Sequence, residues 1–316
     1  MGTTYHVTVA RLRGPQDEEG AQACIDSVLH EIDRHLSTYR ADSEISAFNR
    51  SAATGWIPVS TTLYSVIETA RRVGNESGGA FDITVGPLVR LWGFGEGAGT
   101  NAAALDPPER EFILDAQAAV GYRWLEQRMK PAPAVRKDRV PLELDVDGIA
   151  PGYAVDRISD CLAQRRLPDH LVEIGGEVRA RGHRADGRPW QVAVEAPVAG
   201  EREAYAGLQL ADLAVSTSGD YRDARRLRDG RVISHTIDPR TGEPVSHGLV
   251  SVTVVHPRAV DADAYATALM VLGPRAGYAL AQKLGLPVLM LERTAQPGVW
   301  KEYVTPGFTA LRRPAG

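Results

Sequence analysis

Asp263 and Thr267 lie four residues apart in the stretch "VDADAYATAL", residues 260–269, whose other positions read as a buried helix. On a helix that spacing stacks a carboxylate and a hydroxyl on one face, where their oxygens converge on one point. Two oxygens so placed suit a hard cation. Magnesium takes oxygen ligands, often only one or two of them protein carboxylates, and completes its shell with water and phosphate oxygens. Ala262, Ala264, Ala266 and Ala268 keep the helix slim enough for a ligand to approach its backbone. Asp261 reads instead as a first-turn acid favoured by the helix dipole. For Asp263, spacing alone leaves both readings open.

Four further stretches carry chemistry. "LDVDGIAPGYAVD", residues 144–156, reads as a strand ending in Asp-Gly that turns into a helix, with Pro151 suited to the first turn. Such a turn leaves backbone N–H groups facing outward at the helix start, a seat for phosphate, although glycine-bearing strand-turn-helix units are common. "AVSTSGDYR", residues 214–222, offers three hydroxyls that suit a diphosphate or ribityl chain, or else a turn that satisfies its own backbone. In "ISHTIDPRTGEPV", residues 233–245, the turn at 238–242 accounts for its Asp, Pro and Gly. It does not account for His235, whose imidazole can take a proton near neutral pH; a structural strand histidine is the alternative. "GGAFDITVGPLVRLWGFG", residues 78–95, sets Phe81, Trp92 and Phe94 among glycines, as a pocket for a flat ligand or as ordinary core.

The elements that position these residues follow from periodicity. Residues 5–12 read as a strand, and 17–36 as a helix with Ala21, Ile25, Val28, Leu29, Ile32 and Leu36 on one face. A second helix spans 61–73, capped by Ser60 and ended by "NESGG". Residues 93–110 and the segment "MKPAPAVRKDRV" read as exposed loops. From residue 142 onward strands dominate ("LELDV", "LVEIGGEVRARG", "WQVAVEA", "AYAGLQL", "AVSTS", "VISHTI", "LVSVTVV"), with helices at 153–167 and 260–284. This order predicts an α+β fold of mixed or antiparallel sheets with covering helices, and no doubly wound parallel sheet. Neither an internal repeat nor a linker is legible, so residues 1–316 read as a single domain built from two interleaved subdomains.

Bulk composition narrows the partners. The 316 residues, 43% of them hydrophobic, suffice for a large core. With 36 basic against 40 acidic residues and a net charge of -4, the chain lacks the footprint of a nucleic-acid binder. No apolar run approaches a membrane span. Cys24 and Cys161 sit in apolar helical patterns and read as small core hydrophobes, not as a disulfide or a zinc site. The start "MGTTYHVTVARL" shows no basic n-region, apolar h-segment or lipidated cysteine. The expectation is a cytoplasmic chain as given, or an extracytoplasmic, membrane-anchored one if the sequence is truncated.

Taken in order, "MGTTYHVTVA", "LSTYRADSEISAFN", "GGAFDITVGPLVRLWGFG", "LDVDGIAPGYAVD", "EIGGEVRARG", "AVSTSGDYR", "SHTIDPRTGEPV" and "DADAYATALMVLG" closely resemble the ApbE family of FAD:protein FMN transferases. The resemblance implies an ApbE-like (T-fold-like) two-subdomain architecture. It also implies an enzyme that cleaves the diphosphate of FAD, releases AMP and links FMN through a phosphoester to a Thr or Ser of an acceptor protein. By the same resemblance, Mg2+ is held by the backbone of Ala150 and by Asp263 and Thr267. The implied FAD-binding set is Met1, Tyr39, Ala80, Phe81, Asp82, Asp147, Gly152, Ser218 and His235, with His235 also catalytic. Pro151, Glu173 and Glu177 depart from the family pattern, which more often has Lys or Glu, Asn and Asp there. Two other functions stay open: a magnesium-dependent FAD pyrophosphatase with the same site, and a non-catalytic flavin-binding or delivery protein needing neither His235 nor the metal pair.

Overall fold

A computed structural model describes residues 2–95, 106–198, 203–220 and 224–313, and the chain in it divides into two units. The first comprises Met1–Ile32, Ile149–Gly219 and Gly248–Gly316. Its frame is a seven-stranded sheet of Tyr5–Val9, His170–Ile174, Glu177–Arg181, Leu213–Gly219, Leu249–His256, Val288–Arg293 and Trp300–Val304, in that spatial order. Every pairing in it is antiparallel. Successive strands are spatial neighbours, the simplest arrangement for antiparallel sheets. Where His170–Ile174 turns into Glu177–Arg181, Gly175 and Gly176 take φ of 65° and 112°, which side chains resist.

Because side chains alternate across a strand, the two faces of this sheet hold different residues. Val178, Val215, Val255, Leu289 and Leu291 point to one face, where they pack with Trp190, Val194, Leu208 and Phe308. Those partners belong largely to a three-stranded antiparallel sheet of Trp190–Glu195, Ala204–Leu210 and Arg312–Arg313. Helices Ala150–Gln164 and Ala259–Leu284 pack on the main sheet and on each other. Covered on both faces, Leu249–His256 is buried at all but its last position, which explains its unbroken apolar run. Helix Ala259–Leu284 is interrupted at Gly273, whose φ of 75° and ψ of -179° only glycine adopts readily, just before Pro274.

One reading of the sequence is corrected here. Cys24, on helix Pro15–Leu36, and Cys161, on helix Ala150–Gln164, form a disulfide. The apolar setting is as read for Cys24, which is 1% exposed. Nothing in a single sequence brings together residues separated by 137 positions.

The second unit comprises Asp33–Gly148 and Asp220–His247. Helix Thr61–Glu76 starts as read, with the Ser60 hydroxyl accepting the Leu63 N–H. Leu88, Trp92, Phe94, Ile113, Val120, Leu227, Ile233 and Ile237 form one of its core clusters, and Trp92 Nε1 donates to the Gly242 carbonyl at 2.8 Å. Of the two readings of the aromatic segment, Trp92 and Phe94 therefore take the core one. Three segments depart from expectation, the first being "VISHTI", which a bend at His235 breaks into the strands Val232–Ser234 and Ile237–Asp238. "MKPAPAVRKDRV" contains the strand Ala134–Lys137, central in a three-stranded sheet with Ile57–Pro58 and Leu125–Arg128. Lys137 there is fully buried, its ammonium donating to the Phe48, Asn49 and Leu142 carbonyls. "LELDV" is not a strand: the Asn49 side chain, exchanging hydrogen bonds with Leu144 N–H and C=O, stands in for a strand partner.

Candidate functional site

In the first unit, the starts of helices Ala150–Gln164 and Ala259–Leu284 face each other. Ala150 opens its helix with Pro151 in the first turn and without a side-chain cap from Ile149. The Gly152 N–H donates across to Asp263 Oδ2 at 2.9 Å. A Cβ on Gly152 would sit 2.5 Å from the Ala259 carbonyl oxygen and 2.8 Å from Asp263 Cβ, so only glycine permits this approach. In return, the Ala259 and Val260 N–H groups donate to the two carboxylate oxygens of Asp156 at 2.9 and 3.0 Å, where Arg258 supplies no side-chain cap. Asp156 also pairs with Arg179. Burial pushes its carboxyl up, while Arg179 and the two N–H groups pull it down.

One turn beyond Asp263, Thr267 Oγ1 lies 3.3 Å from Ser218 Oγ. The structure thus joins Gly152 to Asp263 at two facing helix starts and pairs Thr267, one turn beyond Asp263, with Ser218. Among the described residues no group of three or more His, Cys, Asp or Glu gathers. The donor set is one carboxylate, hydroxyls and backbone, which fits magnesium because that ion keeps much of its shell for water and phosphate. Asp261, 2% exposed, turns to its own helix start, 3.6 Å from His256 Nδ1 and 3.5 Å from Arg258 Nε, as a first-turn acid does. The hydroxyls of "AVSTS" lie on a strand and not in a turn. Ser216 donates to Glu177 and Thr217 bonds Thr253, which leaves Ser218 as the one reaching Thr267. Glu173 accepts the Gly176 N–H and bonds His6, both at 2.8 Å, so this departure from the family pattern serves the hairpin.

In the second unit, His235 is half-buried in the bend after strand Val232–Ser234, its ring edge-on to Phe94 with centroids 6.4 Å apart. The turn that follows behaves as read: Asp238 accepts the Arg240 N–H and guanidinium, and Gly242 adopts φ 77°. Burial raises the Asp145 carboxyl, and the Arg90 and His235 charges oppose that rise. Asp147, two residues on, donates its N–H to Asp145 Oδ1 at 3.0 Å. Solvent reaches its side chain, yet its carboxyl is pushed up to about 7, first by the Asp145 charge and second by lost hydration.

Of the remaining expected residues, Tyr39, Ala80, Phe81 and Asp82 belong to the second unit. Tyr39 is 63% exposed. Ala80 and Phe81 are buried at 1% and 4%, so their side chains pack inward and what they offer a ligand is backbone. Asp82 is a structural hub: Oδ1 accepts the Thr84 N–H and hydroxyl, Oδ2 accepts the Tyr122 N–H, and burial raises its carboxyl. Met1 lies outside the described residues. Two residues escaped the sequence reading. Asp156 was signalled only by an acid four positions after Gly152, and Asp145 by the two-residue spacing in "DVD".

Residues 1–290 match the model of the ApbE family. The chain belongs to the ApbE family. An FAD:protein FMN transferase of Vibrio cholerae is 39% identical over 308 residues, covering 98% of this chain and 89% of the relative. The Escherichia coli FAD:protein FMN transferase is 36% identical over 312 residues, covering 98% and 87%. Among solved structures, the flavin transferase ApbE from Vibrio cholerae superimposes with a TM-score of 0.87 at 38% identity, covering 98% of this chain and 96% of that one. The apo form of the Pseudomonas stutzeri flavinyl transferase ApbE gives 0.86 at 38% identity, covering 98% and 94%. The antiparallel sheets and covering helices read from the sequence are thus those of ApbE structures.

Proposed function

We propose that this chain is an FAD:protein FMN transferase that moves the FMN moiety of FAD onto a Thr or Ser hydroxyl of an acceptor protein and releases AMP, with Mg2+ required. The observation that carries this reading is the Gly152–Asp263 contact, which sets the Asp263 carboxylate beside the helix start at Ala150, with Thr267 one turn further on and paired with Ser218. The relatives bearing the same activity name across nearly the whole chain support it.

Ala150 through its carbonyl, Asp263 and Thr267 would hold the metal. When bound, Mg2+ neutralises charge on the FAD diphosphate, which phosphoryl-type transfers need more than covalent help from the protein. His235 takes the proton from the acceptor hydroxyl as its oxygen bonds to the FMN-side phosphorus. The bond from that phosphorus to the bridging oxygen breaks, and AMP leaves with the electron pair. Ser218 orients Thr267, and Phe94 fixes the His235 ring by its edge-on contact.

The test is incubation with FAD, Mg2+ and an acceptor domain carrying a flavinylation threonine, read by intact mass and nucleotide analysis. AMP with flavinylated acceptor is the expected result. AMP with free FMN would instead make the chain an FAD pyrophosphatase, and intact FAD would make it a flavin-binding or delivery protein.

A further inference from the structure

The two helices that bear the candidate metal ligands hold each other by their carboxylates. Asp156 stands one turn after Gly152 on helix Ala150–Gln164 and receives both Ala259 and Val260 N–H groups at the start of helix Ala259–Leu284. Asp263 stands one turn into that second helix and receives the Gly152 N–H at the start of the first. Neither helix has a side-chain cap of its own. Each start therefore depends on an acid from the other for part of its unpaired N–H groups. Arg179, on the neighbouring strand Glu177–Arg181, supplies the counter-charge for the 7% exposed Asp156.

From this geometry we propose that Asp156 is a positioning residue for the magnesium site, acting through Asp263 and Thr267 without touching the ion or substrate. The inference rests on the metal assignment proposed above. Its physical content is that Asp156 fixes the position of the second helix along its axis relative to the first. The carbonyl of Ala150 and the oxygens of Asp263 and Thr267 come from different helices, so their mutual spacing depends on that position. A hard cation with strict octahedral demands is sensitive to such spacing. Partners that orient metal ligands commonly change affinity about 10- to 100-fold when removed.

The experiment uses the full chain without FAD and measures Mn2+ binding by electron paramagnetic resonance, alongside the Mg2+ dependence of FMN transfer. Wild type, Asp156→Asn, Asp156→Glu and Asp263→Asn are compared, with circular dichroism to establish folding and amide hydrogen exchange to follow residues 259 and 260. Asp156→Asn is expected to weaken Mn2+ binding about tenfold, to raise the Mg2+ concentration needed for half-maximal transfer by a similar factor, and to recover most turnover at saturating Mg2+. The amides at 259 and 260 should exchange faster in the metal-free variant, and Asp156→Glu should recover part of both effects. Should Asp156→Asn not fold, the Asp156→Glu variant carries the same comparison with a displaced carboxylate. Mn2+ affinity within twofold of wild type in a folded variant with faster amide exchange would overturn the positioning role alone. Wild type and Asp263→Asn binding Mn2+ equally would overturn the metal assignment and the inference with it.

Discussion

The Gly152 N–H donates to Asp263 Oδ2 at 2.9 Å across a gap too narrow for any Cβ. That contact joins two helix starts whose residues lie 111 positions apart in sequence. Gly152→Ala should therefore act on the site by separating the helices. Its methyl would meet the Ala259 carbonyl oxygen at 2.5 Å, a backbone atom that cannot swing aside. The expected cost is that of an overpacked core, about 1–3 kcal/mol, with loss of Mg2+-dependent transfer beyond what the stability loss explains. Thermal melts and Mn2+ binding together check it. A variant with wild-type melting and wild-type metal affinity would show that the helices tolerate a wider gap.

His235 tests the chemistry and not the frame. It is half-buried beside Phe94, in the bend after strand Val232–Ser234. His235→Asn should lower transfer about 10²- to 10⁴-fold, the range for loss of a general base, while FAD binding and melting temperature hold. Single-turnover flavinylation with saturating Mg2+ reads this directly. Equal losses in FAD affinity and turnover would assign the ring to binding.

Asp147 gives a pH dependence whose sign can be worked out. Its carboxyl is raised from 3.8 to about 7, chiefly by the Asp145 charge two residues away. A carboxyl with its folded value above its unfolded one binds its proton more tightly when folded. Its contribution to stability is full below about 4 and is lost as pH rises through about 7. Asp147→Asn removes the repulsion, so the variant should gain on wild type between these limits. Because solvent reaches the side chain, the gain at pH 8 should be on the order of 1 kcal/mol. Urea denaturation at pH 4 and 8 without divalent cation measures it. A gain present already at pH 4 would point to a cause other than charge.

How much of this was legible in the sequence depended on whether the signal was local. The helices at Pro15–Leu36, Thr61–Glu76 and Ala259–Leu284 and the turn at Asp238 announce themselves through periodicity and caps and form close to where they are read, whereas "LVEIGGEVRARG", read as one strand, folds back on itself at Gly175 and Gly176 into two. The helical spacing of Asp263 and Thr267 was equally local. The partners were not: nothing in "GYAVD" says that Asp156 caps a helix 103 residues later, or in "LELDV" that an asparagine side chain replaces a paired strand. Lys137 misled for the same reason. A lysine between prolines and other charges reads as exposed, yet three carbonyls around its ammonium make burial tolerable.

The Cys24–Cys161 disulfide offers the last prediction and the sharpest departure from sequence. It ties helix Pro15–Leu36 to the helix that opens at Ala150, closing a separation of 137 residues within the first unit. A cross-link over so long a span removes conformational freedom chiefly from the unfolded chain, which commonly stabilises by about 2–4 kcal/mol. The Cys24→Ala, Cys161→Ala double variant should therefore melt below wild type, and reductant should bring wild type down to the variant while leaving the variant unmoved. Alkylation of the unreduced, denatured protein followed by mass spectrometry should find neither thiol modified. Two alkylated cysteines, or a melting temperature indifferent to reductant, would return both residues to the role of small apolar side chains facing each other across two helices.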